Sequence, residues 1–323
     1  MITIKDLARV TGKSVATVSR SLNDSPLISK VVKDKIRSQA ALMGYQANLQ
    51  ARSLAGCKTR LVGVVCRQLD REIDVETVKG IDEAARKQGY GVMICLLAAQ
   101  EAERIQLYRS ILNQPLLEGL IAGSYPPEWF STDVLEKPLI YVDQWPESIP
   151  KSRLTVVTSD HRQCVATIFS YFKTHSVTSV LYYGNGNGNV VEKQRFGYIK
   201  KSAHGNGLPF NHIPIGVDAL ERFAQPACDS MGPSDCPGLI IEPPRSIPGQ
   251  LSRNTTRFLS SCVCVQFDSC RFERTEVWKQ SLLVRQNHFR MGELAFNTMY
   301  QMLRGAKVPA LQKVPVTVEY SQP

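Results

Sequence analysis

The sequence predicts a small all-α unit at the N-terminus followed by a larger α/β body in two lobes. Three observations predict it. Residues 3–23 read as two short helices around a glycine turn, Lys and Arg concentrate in the first 58 residues, and from Leu61 onward short apolar strands alternate with helices.

In the stretch TIKDLARVTGKSVATVSRSLN, Thr3 can cap a first helix and Asp6 can return a hydrogen bond to the cap. Ile4, Leu7, Ala8 and Val10 make the apolar side of that helix, and Gly12 stands where the chain must turn sharply. Ser14 can cap a second helix. On it Val18 and Leu22, four apart, face the core, while Val15, Ala16 and Ser19 fall on other faces and Arg20 projects outward. Two short helices joined this way present the second helix's first residues to base edges in a DNA major groove. A third helix is expected at about 29–43, with Ser29 as N-cap, Val32, Ile36 and Ala40 packing inward, and Gly44 as its stop. Residues 45–56 then make one to two turns of weakly apolar helix, too short to stand alone in water.

The formal net charge is +10, and its distribution says more than its size. Residues 1–58 carry ten Lys/Arg against three Asp, a net +7, while the remainder carries 29 basic against 26 acidic residues. A basic end on a near-neutral body is the footprint of a polyanion-binding module. With 43% hydrophobic residues the chain is globular, and it holds no apolar run of about 18 residues that could span a membrane. The N-terminal segment lacks a signal-peptide core. Nine scattered cysteines form no C-x-x-C pair, and Cys262 and Cys264 share one face of a strand, which argues for reduced, buried thiols in a cytoplasm.

The body opens with the continuous apolar run 61–66, as in a strand buried on both faces. Further strands are expected at 92–97, 120–122, 139–142 and 155–157, with helices at 75–88 and 100–112 between them. A second set follows: helix 161–174, strand 180–183, helix 190–204, strand 213–215, helix 218–225, then strands 239–241 and 263–267. Segments 282–285, 289–303 (a helix) and 314–319 close the chain. Gly184-Asn-Gly-Asn-Gly-Asn189 lacks the Gly-Lys-Ser/Thr ending of a P-loop and the spacing of a dinucleotide loop, so it reads as a flexible loop at the cleft mouth. The five histidines show no metal spacing and read as surface or hydrogen-bonding residues. No nucleophile–base motif is visible, so neither enzymatic activity nor a cofactor or metal is expected.

The order Thr3-Ile4-Lys5-Asp6-Leu7-Ala8, then Ser14 to Asn23, then Asn48-x-x-Ala51-Arg52-x-Leu54 closely resembles the headpiece and hinge of the lactose-repressor/galactose-repressor (LacI/GalR) family. Ala47 departs from the proline usual before that hinge. The resemblance implies that Val15, Ala16 and Arg20 read bases, the first two by apolar contact and Arg20 by pairing with guanine. It implies that Ser14, Thr17, Ser19 and Asn23 contact phosphates, which position rather than specify. Asn48, Ala51, Arg52 and Leu54 would form the hinge, with Leu54 wedged into the minor groove at the operator centre.

The body resembles the same family's periplasmic-binding-protein-like core at Val157–Asp160, Val265–Asp268, Val284–Gln286 and Gly292-x-x-Ala295. The implied organisation is a headpiece at 1–46, a hinge helix and linker at 47–59, and a two-lobed effector-binding and dimerisation core at 60–323. Lobe 1 would comprise about 60–158 and 287–313, and lobe 2 about 159–286 and 314–323. Departures fall where an effector should bind. Gln194 stands where an arginine is usual, with Arg195 beside it, Pro243-Pro244 replaces an Asn-Asp-like pair, and Gln266 replaces a common glycine. Asp268 is retained and can accept two hydroxyls of a sugar ring. Arg67, Asp160 and Gln286, with Gln194, are further candidates that read equally as surface or core-capping groups.

The resemblance implies a cytoplasmic, homodimeric, sequence-specific transcriptional regulator, a repressor, binding pseudo-palindromic double-stranded operator DNA under control of a sugar-like or sugar-phosphate molecule in the cleft. No leucine-heptad tail follows the last strand, so a tetramer is not expected. The rivals are a family member that binds DNA without an effector and a ligand-binding or enzymatic α/β protein with an incidental helical N-terminus.

Overall fold

The computed structural model describes residues 2–46, 58–69, 71–97, 100–123, 137–186, 188–242, 251–268 and 281–320. The chain divides into two compact units, Met1–Thr59 and Arg60–Pro323.

The first unit holds helices α1 (Ile4–Thr11), α2 (Val15–Leu22) and α3 (Lys30–Leu42). Helix α1 starts in a capping box: the Asp6 amide donates to Thr3 Oγ1 at 3.3 Å, and the Thr3 amide donates to Asp6 Oδ2 at 3.0 Å. Gly12 ends the helix at φ 64°, a left-handed turn that costs glycine nothing. Leu7, Ala8, Val18, Ile36 and Ala40 form the core, flanked by Ile4, Leu22, Val32, Met43 and Tyr45. Two expectations need correction. Val10 is 53% exposed, because its place on α1 turns away from α3. Ser29 occupies the N-cap of α3 without making a side-chain capping bond. The α2–α3 connection is instead tied down by Asp24, whose carboxylate meets Lys33 at 3.0 Å and Arg37 at 2.9 Å.

The second unit contains two six-stranded sheets. Sheet 1 uses β1 (Leu61–Cys66), β2 (Gly91–Leu96), β3 (Gly119–Ala122), β4 (Leu139–Val142), β5 (Val156–Ser159) and β11 (Leu311–Val314), ordered β11-β5-β4-β3-β1-β2 and wholly parallel. Sheet 2 uses β6 (Ser179–Tyr183), β7 (Phe210–Ile213), β8 (Pro237–Ile241), β9 (Val263–Phe267), β10 (Ser281–Arg285) and β12 (Thr317–Tyr320), ordered β12-β10-β9-β8-β6-β7. Only the β10–β12 pair is antiparallel among the described pairings of sheet 2. The inner strands β1, β3, β4 and β8 are apolar because helices cover both faces.

Helices α4 (Glu72–Lys87), α5 (Glu101–Leu112) and α10 (His288–Leu303) pack on sheet 1. Helices α6 (His161–Thr174), α7 (Val190–Gly205), α8 (Val217–Ser230) and α9 (Arg253–Ser261) pack on sheet 2. The chain leaves sheet 1 after β5, returns after β10, and passes again to sheet 2 after β11. Helices α4 and α10 touch backbone to backbone at Gly80 and Gly292: a Cβ on Gly80 would strike the Phe289 carbonyl oxygen, and one on Gly292 the Thr77 carbonyl oxygen.

Several elements differ from the sequence expectation. Strand β7 spans 210–213 rather than 213–215; it is an edge strand whose Asn211 and His212 are exposed, so it carries little apolar signal. Helix α8 runs through Pro226 to Ser230 instead of stopping near 225. Helix α9 was not expected, since RNTTRFLSS buries little besides Thr255, Phe258 and Leu259. The segment 314–319 is two strands in different sheets, separated at Pro315. Seven cysteines are free among the described residues, and Cys262 and Cys264 lie in one apolar cluster, although Cys262 caps α9 and only Cys264 is in β9.

Candidate nucleic-acid interface and interlobe cleft

In the first unit, α2 is fixed at its N-terminus by Ser14, whose Oγ accepts the Thr17 amide at 3.1 Å and lies 2.9 Å from Thr17 Oγ1. Its inner side is held by Val18 and by Ser21, whose hydroxyl donates to the Thr17 carbonyl at 2.8 Å. What remains outward is Val15, Ala16 and Arg20, all exposed, with Val15 42% accessible. Ser19 and Asn23 are half-buried and 3.5 Å apart through Asn23 Nδ2 and Ser19 Oγ. The surface therefore offers an apolar pair, one guanidinium and short hydroxyls around a helix N-terminus, a composition suited to bases flanked by phosphates. Asn48, Ala51, Arg52 and Leu54 lie outside the described residues.

Replacing Ser14 with Ala removes the cap of α2 and is expected to cost about 1 kcal/mol of headpiece stability. Hydrogen exchange at the α2 amides of the full chain measures it. Ser14→Asp keeps the acceptor and is expected to exchange like the parent; unchanged exchange in Ser14→Ala would show that the cap does not hold α2.

In the second unit, the C-terminal ends of parallel strands in the two sheets border adjoining cavities, the usual place for ligands in such sheets. Asp143 follows β4 and Asp268 follows β9, and both take left-handed backbone, at φ 59° and 54°. Each is held by the next strand of its sheet. Thr158 Oγ1 donates to Asp143 Oδ1 at 2.8 Å, and the Gln286 amide and Nε2 donate to Asp268 at 2.9 and 2.7 Å. Helices α6 and α10 begin at His161 and His288, the helices that follow the first two crossings. Both histidines are buried, 3% and 7% exposed, so neither is a surface residue, while His161 Nε2 lies 3.5 Å from Thr158 Oγ1 as a hydrogen-bonding residue. His288 Nε2 stands 3.5 Å from Asp268 Oδ1.

Arg195 is not an open ligand arm. It is buried, its Nη1 lies 3.4 Å from Glu242 Oε1, and its guanidinium sits 4.3 Å over the Phe267 ring. Burial works most strongly against its charge, but Glu242, Tyr182, Asp268 and Cys164 together outweigh it and hold the guanidinium above its ordinary value. Burial holds the Glu242 carboxyl above its usual range, with Arg195 offsetting only part. At Asp268 burial also pushes upward, yet the bond and charge of His288 and the two Gln286 bonds outweigh it and hold the carboxyl below its usual value. Burial pulls His288 down, and Asp268 and Asp143 together pull it further up. Burial and Arg195 keep His161 well below the ordinary histidine value, hence neutral.

The remaining candidates scatter. Asp160 caps α6 and pairs with Lys313 at 3.2 Å, which is the core-capping alternative. Gln194 is half-buried on α7, and Arg67 is exposed after β1. Gln266 lies on β9 with its Nε2 3.9 Å from Cys264 Sγ, while Pro243 and Pro244 lie outside the described residues. The run Gly184–Asn189 ends in a capping box: Asn189 Oδ1 accepts the Val191 and Glu192 amides, both at 3.0 Å. Sequence reading did not single out Asp143, Glu242, Phe267, His161 or His288. The one available signal was an acid placed directly after an apolar strand, which Val142-Asp143 and Ile241-Glu242 share with Phe267-Asp268.

Residues 3–48 match the family described as bacterial regulatory proteins, lacI family. The chain is 30% identical over 118 residues to the HTH-type transcriptional regulator RegA of Clostridium saccharobutylicum, covering 36% of this chain and 35% of that protein. It is 28% identical over 150 residues to the ribose operon repressor of Bacillus subtilis, covering 46% of each. The matches thus span about a third to a half of these relatives. The fold is similar to that of the lac repressor dimer bound to operator and the anti-inducer ONPF, with a TM-score of 0.71 at 16% identity over 98% of this chain and 97% of that one.

Proposed function

We propose that the chain, whose residues 3–48 match the lacI family of bacterial regulatory proteins, is a sequence-specific DNA-binding transcriptional repressor, dimeric and cytoplasmic, whose grip on a pseudo-palindromic operator is set by a small molecule in the interlobe cleft. The observation that carries this reading is the outward turn of α2, where Val15, Ala16 and Arg20 stand exposed on a headpiece segment of net charge +7. Arg20 pairs with guanine, Val15 and Ala16 meet a thymine methyl, and Ser14, Thr17, Ser19 and Asn23 hold the flanking phosphates. Asn48, Ala51, Arg52 and Leu54 form the hinge that joins residues 1–46 to the core from 60 onward.

A second copy docks along β2. This strand is the open edge of sheet 1 and leaves Ile94 and Leu96 42% and 51% exposed. Dimerisation covers that edge and sets two headpieces on two half-sites. A ligand that favours one lobe orientation over the other shifts the hinge and hence DNA affinity; one that binds both equally changes nothing. The relatives' printed names, a ribose operon repressor among them, support a carbohydrate-like effector. No helix of the described residues is long and apolar enough to cross a membrane.

Selection of the purified full chain on a randomised duplex library at several salt concentrations tests the reading. A palindromic consensus is expected, with affinity falling steeply as salt rises. Background binding to every duplex at low salt would end it. Arg20→Ala is expected to lose about 1–3 kcal/mol and relax preference at one base pair per half-site, read by repeating the selection; an unchanged consensus would remove Arg20 from base reading.

A further inference from the structure

The cleft described above has an unusual charge arrangement. Four basic side chains described around it are held by carboxylates: Arg195 by Glu242 at 3.4 Å, Arg71 by Asp74 at 3.8 Å, Arg285 by Glu319 at 2.8 Å and Lys313 by Asp160 at 3.2 Å. Among the described residues, no arginine or lysine pairs with Asp143 or Asp268. The counter-charge shared by these two aspartates is His288, whose imidazole is drawn toward protonation by both. His288 is also the wall between two cavities. One, of about 220 Å³, is lined by Asp268, Gln286, Glu72 and Glu76; the other, of about 20 Å³, is lined by Asp143 and Asp74.

Gln286 gives an independent sign of a missing partner. It is 8% exposed and lines the larger cavity; its Nε2 serves Asp268, and its Oε1 accepts no hydrogen bond. Nδ1 of His288, also buried, has no hydrogen-bond partner either. A buried acceptor left open costs free energy until a donor arrives.

We propose that the larger cavity binds its ligand through a protonated amine, neutralised by Asp268 and donating to the Gln286 carbonyl oxygen, beside His288. The inference rests on reading the cleft as the effector site and names the ligand's chemical class. Among the described residues of the larger cavity, a phosphorylated ligand meets Glu72, Glu76 and Asp268, and the one arginine there, Arg285, is paired with Glu319. A neutral polyol brings Asp268 no counter-charge. An ammonium group supplies both the charge and the donors that the site lacks.

The nearness of His288 makes pH a diagnostic. Asp268 at the end of β9, Asp143 at the end of β4, Arg195 on α7, His161 on α6, Arg285 on β10, and Asp74, Glu72 and Glu76 on α4 surround His288. The aspartates favour its protonated form, Arg195 and His161 oppose it, and Arg285 is committed to Glu319. An incoming ammonium adds a positive charge beside His288 and so favours its neutral form. Amine affinity therefore rises with pH until His288 is deprotonated.

The test is calorimetric titration of the full-length protein with three matched probes: 1-amino-1-deoxysorbitol, sorbitol and sorbitol 6-phosphate. The amine is expected to bind at least about tenfold tighter than sorbitol, with the phosphate weakest. Its affinity is expected to climb with pH, by up to about tenfold per unit while His288 is protonated. His288→Gln flattens that dependence, and Asp268→Asn erases the preference for amine over sorbitol. Equal or tighter binding of sorbitol, tightest binding of the phosphate, or no heat from any of the three overturns the proposal. The duplex selection above reports independently. A protein that selects an operator but prefers the neutral polyol loses this inference alone, and one that prefers the amine but selects no duplex loses only the repressor reading.

Discussion

Arg195→Met is expected to destabilise the second unit by about 3–5 kcal/mol, because it strands the Glu242 carboxyl in an interior where the guanidinium is the largest influence offsetting burial. Glu242 is 2% exposed, follows β8 directly, and has no other ion-pair partner among the described residues. The guanidinium also covers Phe267, so its loss uncovers an aromatic face. Urea unfolding of the full chain, followed by far-UV circular dichroism at neutral pH, measures the loss as a lower midpoint at similar slope. Arg195→Met combined with Glu242→Leu is expected to recover most of it, since both charges then leave the core together. A single variant that unfolds at the parent midpoint would mean that the pair contributes nothing to holding α7 on sheet 2.

Gly292→Ala is the second large effect. The added methyl meets the Thr77 carbonyl oxygen, a backbone atom in the middle of α4 that cannot rotate away. Helices α4 and α10 must separate, which disturbs the packing of Ile81, Met291, Ala295 and Phe296 beneath them. Overpacking a core costs about 1–3 kcal/mol, and an obstacle of backbone puts this case at or above the upper end. Gly80→Ala, against the Phe289 carbonyl, is expected to behave alike. Gly197→Ala on α7 is the control: nothing lies within 4 Å of its added methyl, so better helix propensity is expected to stabilise it by about 0.5–1 kcal/mol. Thermal unfolding of the three variants beside the parent decides the matter; a Gly292→Ala protein as stable as Gly197→Ala would refute direct contact between the helices.

The sequence made some elements legible and hid others for physical reasons. Strands such as β1 and β3 announce themselves because burial on both faces leaves no place for a polar residue. Strand β7 does not, because an edge strand can afford Asn211 and His212. Proline misled twice: Pro226 does not stop α8, whereas Pro315 marks a change of sheet that the continuous reading of 314–319 missed. In the cleft, Asp268 could be found because an acid directly after an apolar strand stands out. Arg195 was found as a neighbour of an expected arginine, but its commitment to Glu242 is a tertiary fact with no local trace. His161 and His288 were passed over for the same reason. Each is an isolated histidine in its own stretch, and only the two crossings of the chain bring them together.

Those crossings impose an order of assembly on a chain made from its N-terminus. Val62, Val64 and Ile81 are synthesised early, yet the side chains that cover them, Met291, Ala295, Phe296 and Met299 of α10, emerge only after all but the last strand of sheet 2. The nascent first half therefore waits on the ribosome with an apolar face uncovered while the other sheet is built. That interval is where this protein is most exposed to aggregation and most dependent on a holding chaperone.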